Sequence, residues 1–275
     1  MKSRNLVLTA LAGLSVHAAP ALAQTSDWTG FYVGGSAGYG EAASNSGETL
    51  VFDTDRDGQF DDQVNTAAPA NAFSPGFCSG AANGPTPGAG CVSSDSEFSY
   101  SLRAGYDWQF GPWVVGLLGE ASKASVGDAV SGFSTTPAFY TFERELDYTL
   151  AARARAGYAF GNVLVYGTGG MAWGELDRTF TTSNGANSFT PQNDDNASGY
   201  QVGAGAEWMF AENFSVGFEY LRTSLDDDDY VVDVGPGTAP ATNPFLLVNP
   251  AGTFMTRSED QFEYDTYSVT ASWRY

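Results

Sequence analysis

The stretch DTDRDGQFDD (53–62) sets oxygen-bearing side chains where a hard cation could collect them. Asp53, Asp55 and Asp57 alternate, Gly58 permits a sharp turn, Gln59 offers a backbone carbonyl, and Asp61 stands at the ninth position. This is the first half of an EF-hand-like loop, which binds Ca²⁺ through oxygens at positions 1, 3 and 5, a glycine at 6 and a carbonyl at 7. Position 12, ordinarily a bidentate glutamate, is Val64, and Asp62 is the substitute that the segment provides. Calcium binding is expected here, weighed against a plain solvated acidic loop. A second acidic run, LDDDDYVVD (225–233), lacks this spacing and reads as a solvated loop flank.

Other chemistries are limited by the start of the chain. Lys2 and Arg4 precede an apolar stretch from Leu6 to Val16, and Ala21-Leu22-Ala23 has the form of a cleavage site. Residues 1–23 therefore read as a secretory signal peptide. Its removal takes Lys2, Arg4 and no acid from 12 basic and 32 acidic residues, leaving 10 against 32, a net charge of −22. The single histidine, His17, leaves as well. Ser-His-Asp and Cys-His catalysis and His-ligated metal sites are excluded, so no enzyme activity is expected. The acidic balance also argues against nucleic acid, which is bound by clustered Lys and Arg. Cys78 and Cys91 are the only thiols, and in an exported chain they read as a disulfide.

Period-two alternation recurs along the rest of the chain, as in FSYSLRAGYDWQF (98–110), where every second residue from Phe98 to Phe110 is apolar. Strands are predicted at 30–40, 96–110, 113–122, 145–160, 163–173, 198–210, 214–222 and 266–275. Turns of two or three residues at 111–112, 161–162 and 211–213 alternate with long stretches at 41–95, 123–144, 174–197 and 223–265. An even number of strands, short turns at one end and long loops at the other mark an all-β, eight-stranded antiparallel up-and-down transmembrane barrel of the bacterial outer membrane, with long extracellular loops. Residues 24–275 form that domain, 41–95 being the first surface loop and 223–265 the fourth.

The barrel decides which face is which. Arg103, Asp107, Glu120, Asp147, Arg153, Arg155, Glu207, Glu219 and Arg274 fall on the polar faces and are expected to form a lumen charge network, while the apolar faces meet lipid. The faces of 163–173 are not assigned, since glycines occur on both. RAGYDWQF (103–110), RAGYAF (155–160) and GAGAEWMF (203–210) each end a strand before a tight turn. They deliver aromatics to one end of the barrel, where Trp28, Phe31, Trp113, Phe214, Trp273 and Tyr275 are expected to complete a single girdle.

Four segments carry a family resemblance: DWTGFYVGGSAGYG (27–40), GPWVVGLLGEAS (111–122), ARARAGYAFGNVLVYGTGGMAWG (152–174) and GAGAEWMFAENFSVGFEYLRTSL (203–225). The chain resembles the OmpA-like, porin-family outer-membrane β-barrel proteins of alphaproteobacteria, often described as surface antigens. The resemblance implies an eight-stranded barrel in the outer membrane. Tyr275 stands where that family usually ends in Phe, and Leu221-Arg222 replaces a more usual Arg-Tyr. An eight-stranded interior is just wide enough to be filled by side chains. A barrel plugged by its own salt bridges is thus expected, with a structural role in the envelope. A narrow channel for ions or small solutes and a loop-mediated binding module are the alternatives. The expected partners are membrane lipid, lipopolysaccharide and the outer-membrane assembly machinery; oligomeric state is left open.

Overall fold

The computed structural model describes residues 27–43, 47–92, 97–192, 196–227 and 230–275 of the 275-residue chain. Residues 1–23, expected to be a signal peptide, lie outside the described residues. Sixteen strands run in chain order: β1 (Gly30–Ala42), β2 (Leu50–Asp53), β3 (Gly76–Ser79), β4 (Ala81–Ala82), β5 (Cys91–Val92), β6 (Glu97–Phe110), β7 (Trp113–Ala124) and β8 (Gly127–Ser134). Then follow β9 (Ala138–Phe160), β10 (Val163–Thr182), β11 (Ser188–Gln192), β12 (Asn196–Ala211), β13 (Phe214–Asp226), β14 (Val231–Gly235), β15 (Thr253–Arg257) and β16 (Gln261–Arg274).

Eight of these close a barrel in the order β10, β12, β13, β16, β1, β6, β7, β9, the last pairing back to β10, and every neighbour is antiparallel. They are the eight strands predicted from alternation, lengthened mostly at the long-loop end. Closure leaves no strand edge, the condition for crossing a bilayer with β-structure. Gly111 (φ 61°) and Gly161 (φ 65°) turn two of the short connections in a left-handed conformation.

Outward positions are apolar and exposed in the isolated chain, among them Leu102 (74%), Leu117 (58%) and Val269 (63%). Aromatics flank this band at both ends, which corrects the expectation of a single girdle. Tyr106, Trp108, Phe110, Tyr158, Trp208 and Trp273 ring the short-turn end, while Tyr39, Phe98, Tyr100, Tyr148, Trp173 and Tyr200 ring the other. Phe31 and Tyr39 mark the two rings on β1, roughly 26 Å apart along the strand. An apolar band of that height suits an outer membrane. Trp28 does not belong to a girdle: it is fully buried, because the chain before β1 folds back into the barrel mouth.

The long connections are not structureless. β11, β14, β15 and β2 make a second sheet, drawn from three different loops. The tops of β9 and β10, with β8 and β3, rise above the barrel and face it. Between the two sheets lies an apolar core that includes Leu50, Phe52, Phe73, Val130, Tyr140, Phe142, Val232, Val234, Phe245 and Met255. Full burial of such a side chain contributes about 1.5–3 kcal/mol, so the loops form a folded cap.

Candidate functional site

Charge fills the middle of the lumen. In β6 the odd residues point inward, which brings Arg103 and Asp107 inside; β7 contributes Glu120, β9 Arg153 and Arg155, β12 Glu207, β13 Glu219 and β16 Arg274. Arg103 lies 2.7 Å from Glu120 and 2.8 Å from Glu219. Arg153 approaches the same two acids at 3.0 and 3.4 Å. One layer nearer the short turns, Arg155 donates to Asp107 at 2.8 Å and to Glu207 at 2.6 Å, and Arg274 meets Asp107 at 2.8 Å. Four cations face four anions. Tyr166 donates to Glu219 at 2.8 Å, and the Arg155 and Arg274 guanidiniums lie over the Tyr32 ring. Glycine makes the room: a β-carbon on Gly116 would stand 2.0 Å from Asp107 Oδ1, and one on Gly105 would stand 2.6 Å from the Tyr32 hydroxyl.

Apolar layers seal this network on both sides. Trp28, Val114, Leu164 and Met209 pack beneath it. Val126, Leu146, Leu176, Leu225 and Phe262 pack above. The space left beside Arg103, Glu120, Gln201 and Tyr264 is about 20 Å³, room for about one water.

Asp147 is not part of the network, contrary to the sequence expectation. Tyr148 pairs with Glu175 and Leu146 with Leu176, so Asp147 is the extra residue of a β-bulge. A bulge shifts the two-residue alternation by one. Below it Tyr148 and Leu150 face out; above it Leu146, Arg144 and Phe142 are buried. Asp147 is left half-exposed, 2.5 Å from Lys123. In β10, whose faces alternation had left unassigned, Leu164, Tyr166, Ala172 and Leu176 point inward.

The bulge creates a second buried charge cluster, which alternation alone did not reveal. Arg144 donates to Asp128 at 2.8 Å, to Asp227 at 2.5 Å and to the Gln261 carbonyl at 2.9 Å. Arg178 meets Asp227 at 2.5 Å; Arg257 meets Glu48 at 2.6 Å and Asp128 at 2.9 Å. This collar joins all four long connections between the barrel and the cap. Burial favours the neutral form of Asp128, but Arg144 and Arg257 outweigh it and hold its carboxyl below the usual range. The acidic run 225–233 is correspondingly not just a solvated flank, since Leu225, Asp227, Tyr230 and Val232 are buried.

In the first loop, carboxylate oxygens of Asp53, Asp55 and Asp62 come within 4.8 Å of one another. Asp57 and Asp61 lie outside that set of carboxylates; Gln59, expected to contribute its main-chain carbonyl, donates its amide to Asp57 at 2.9 Å. Asp53 is buried and accepts from the amides of Arg56 (2.6 Å) and Gly58 (2.9 Å). Asp62 accepts from the Thr54 hydroxyl (2.7 Å) and amide (2.8 Å), which lowers its pKa. Asp55 is shifted up by desolvation and by the neighbouring acids Asp57, Asp62 and Asp53. Val64, at the position of the missing glutamate, is an anchor in the cap core. Cys78 and Cys91 form a disulfide in the same loop.

Each of the ten basic residues after position 23 is ion-paired, and Arg56, Lys123 and Arg222, the more exposed ones, meet Asp233, Asp147 and Glu263.

A closed antiparallel barrel with a packed polar interior and an apolar belt between two aromatic rings is a membrane-spanning barrel of the outer-membrane class. The chain belongs to the outer membrane protein beta-barrel domain family, whose model matches residues 7–274. Its location is the bacterial outer membrane. It is 28% identical over 207 residues to a 31 kDa outer-membrane immunogenic protein of Brucella melitensis, covering 73% of this chain and 72% of that protein. A 22 kDa outer membrane protein of Rhizobium leguminosarum is 31% identical over 138 residues, 50% of this chain and 57% of the relative. Among solved structures, OprG of Pseudomonas aeruginosa aligns with a TM-score of 0.46 and 13% identity, covering 91% of this chain and 99% of that one.

Proposed function

We propose that the protein is a non-conducting structural barrel that holds a folded module at the cell surface and contributes to envelope integrity. The filled lumen carries this reading: two apolar layers flank a balanced layer of four arginines and four carboxylates, and the space beside Arg103 and Glu120 is only about 20 Å³. A diffusion channel needs a wide aqueous interior. Catalysis has no part in this reading, because the inward carboxylates are engaged by arginine. The lipid partners are those that contact the two aromatic rings. Lipopolysaccharide phosphates would be met through divalent cations, since the outer face is acidic.

Planar-bilayer recording from refolded, inserted protein tests the proposal. No discrete openings are expected; reproducible unitary steps would replace the closed barrel with a narrow channel for ions or small solutes. A second reading, favoured by the convergence of Asp53, Asp55 and Asp62, is that the first loop takes Ca²⁺.

A further inference from the structure

We propose that the outer tip of the cap is a binding site for a small, uncharged aromatic compound. A cavity of about 250 Å³ opens there, with walls from all four long connections. Phe73, Tyr140 and Phe245 form its floor as a triangle of rings, with centroids 5.2, 5.7 and 6.0 Å apart and tilted or edge-on contacts. A ligand ring would join that arrangement as a fourth member, in the offset and edge-to-face geometries that aromatic groups favour.

The walls define the ligand's polarity. Every residue lining the cavity is uncharged, although the chain as a whole carries a net charge of −20. An ionised ligand would lose its hydration there without gaining a counter-charge. The wall amides are already engaged. Asn184 donates to the Tyr140 hydroxyl and to Asn187 at 3.0 Å each, and accepts from the Ala186 amide at 2.9 Å. Asn243 donates to Asn187 at 3.0 Å and accepts from the Phe245 amide at 3.0 Å. These bonds hold the walls in place without a ligand, so that beside the rings a ligand meets the hydroxyls of Ser134, Thr135, Thr136 and Ser183 as the remaining polar side chains of the lining. Size sets the remaining limit: an apolar cavity of about 150 Å³ holds benzene, so this one suits one or two fused rings. The cap core and the collar lie between the cavity and the lumen, so among the described residues it is a terminal pocket set apart from the barrel interior.

Full-length mature protein in lipid nanodiscs, titrated with indole by saturation-transfer NMR against protein-free discs, tests this. Saturable binding at one site is expected, weakened at least tenfold by Ala186→Trp, which fills the cavity from its exposed rim. Indole-3-carboxylate and methyl β-glucoside are expected to give no saturable signal. Thr136→Trp, on another part of the rim, serves if the first variant does not show the heat-modifiable mobility of a folded barrel. The proposal is overturned by absence of saturable indole binding, by binding unchanged in the folded rim variant, or by preference for the carboxylate or the glucoside.

Discussion

Arg103 and Glu219 meet at 2.8 Å across the lumen, from strands that β1 and β16 separate in the wall. The pair is a strut joining two sides of the barrel, and Arg153 shares it at 3.4 Å. Removing the charge of Glu219 leaves Arg103 and Arg153 to share Glu120, so that one buried positive charge is uncompensated. Glu219→Gln is therefore expected to cost about 3–5 kcal/mol, read from urea unfolding in lipid vesicles by tryptophan fluorescence. A cost below about 1 kcal/mol, the range of surface pairs, would show that Glu120 alone satisfies both arginines.

Deletion of Asp147 removes the bulge and restores unbroken alternation through β9. Leu146 would then follow Tyr148 directly, so Leu146, Arg144, Phe142 and Tyr140 would keep their inward faces, and the collar and cap core would keep their anchors. The deletion is expected to leave the loops as resistant to trypsin and chymotrypsin as in the unaltered chain; rapid cleavage would show that the cap needs the local twist of the bulge and not only the inward facing of Arg144 and Phe142. Asp147→Ala keeps the extra residue and removes only an exposed pair with Lys123, so its protection should match that of the unaltered chain.

The depressed carboxyl of Asp128 makes the cap sensitive to strong acid. A carboxylate with a lowered folded pKa adds stability that is present above its ordinary value, about 3.9, and is lost as pH falls through the lowered one. Pepsin is expected to spare the cap near pH 4 and to cleave between β13 and β16 only in stronger acid. In Asp128→Asn, cleavage should already occur near pH 4; an unchanged acid profile would remove the collar from any role in acid stability.

Calcium binding by the first loop predicts terbium luminescence on addition of Tb³⁺, displaced by Ca²⁺ at millimolar concentration. Asp55→Asn is the informative variant, since Asp55 is exposed whereas Asp53 is buried in the cap. Luminescence that survives this change in the folded protein would place the ion elsewhere.

Alternation makes the transmembrane strands legible because each crosses a simple boundary, lipid on one side and packed polar lumen on the other. In β6, Arg103 and Asp107 stand out on the polar face without reference to any other strand. The cap is harder to read. Leu50 and Phe52, Val232 and Val234, and Tyr140 and Phe142 also alternate, but in short runs whose partners lie in distant loops. Loop composition gives no hint of that pairing. The Asp147 bulge has no composition signature either, and one unrecognised residue moves Leu146 and Arg144 to the wrong face. Asp53, Asp55 and Asp62 converge because Thr54 and the turn at Gly58 fold the segment back on itself, a local effect that the spacing does convey.

The ion-pairing of all ten basic residues has an electrostatic consequence beyond stability. Seven of them are arginines enclosed in the lumen or the collar, and the three more exposed ones, Arg56, Lys123 and Arg222, are each matched by an acid, so the outward field of the molecule is dominated by the acids in excess. Within a Debye length of about 8 Å at physiological salt, the excess of acids gives the outer part of the molecule a net negative potential. Cationic peptides and metal ions are drawn toward it, and anionic polymers are held off unless counterions intervene. The chemistry of approach is thereby fixed by where the cations are not.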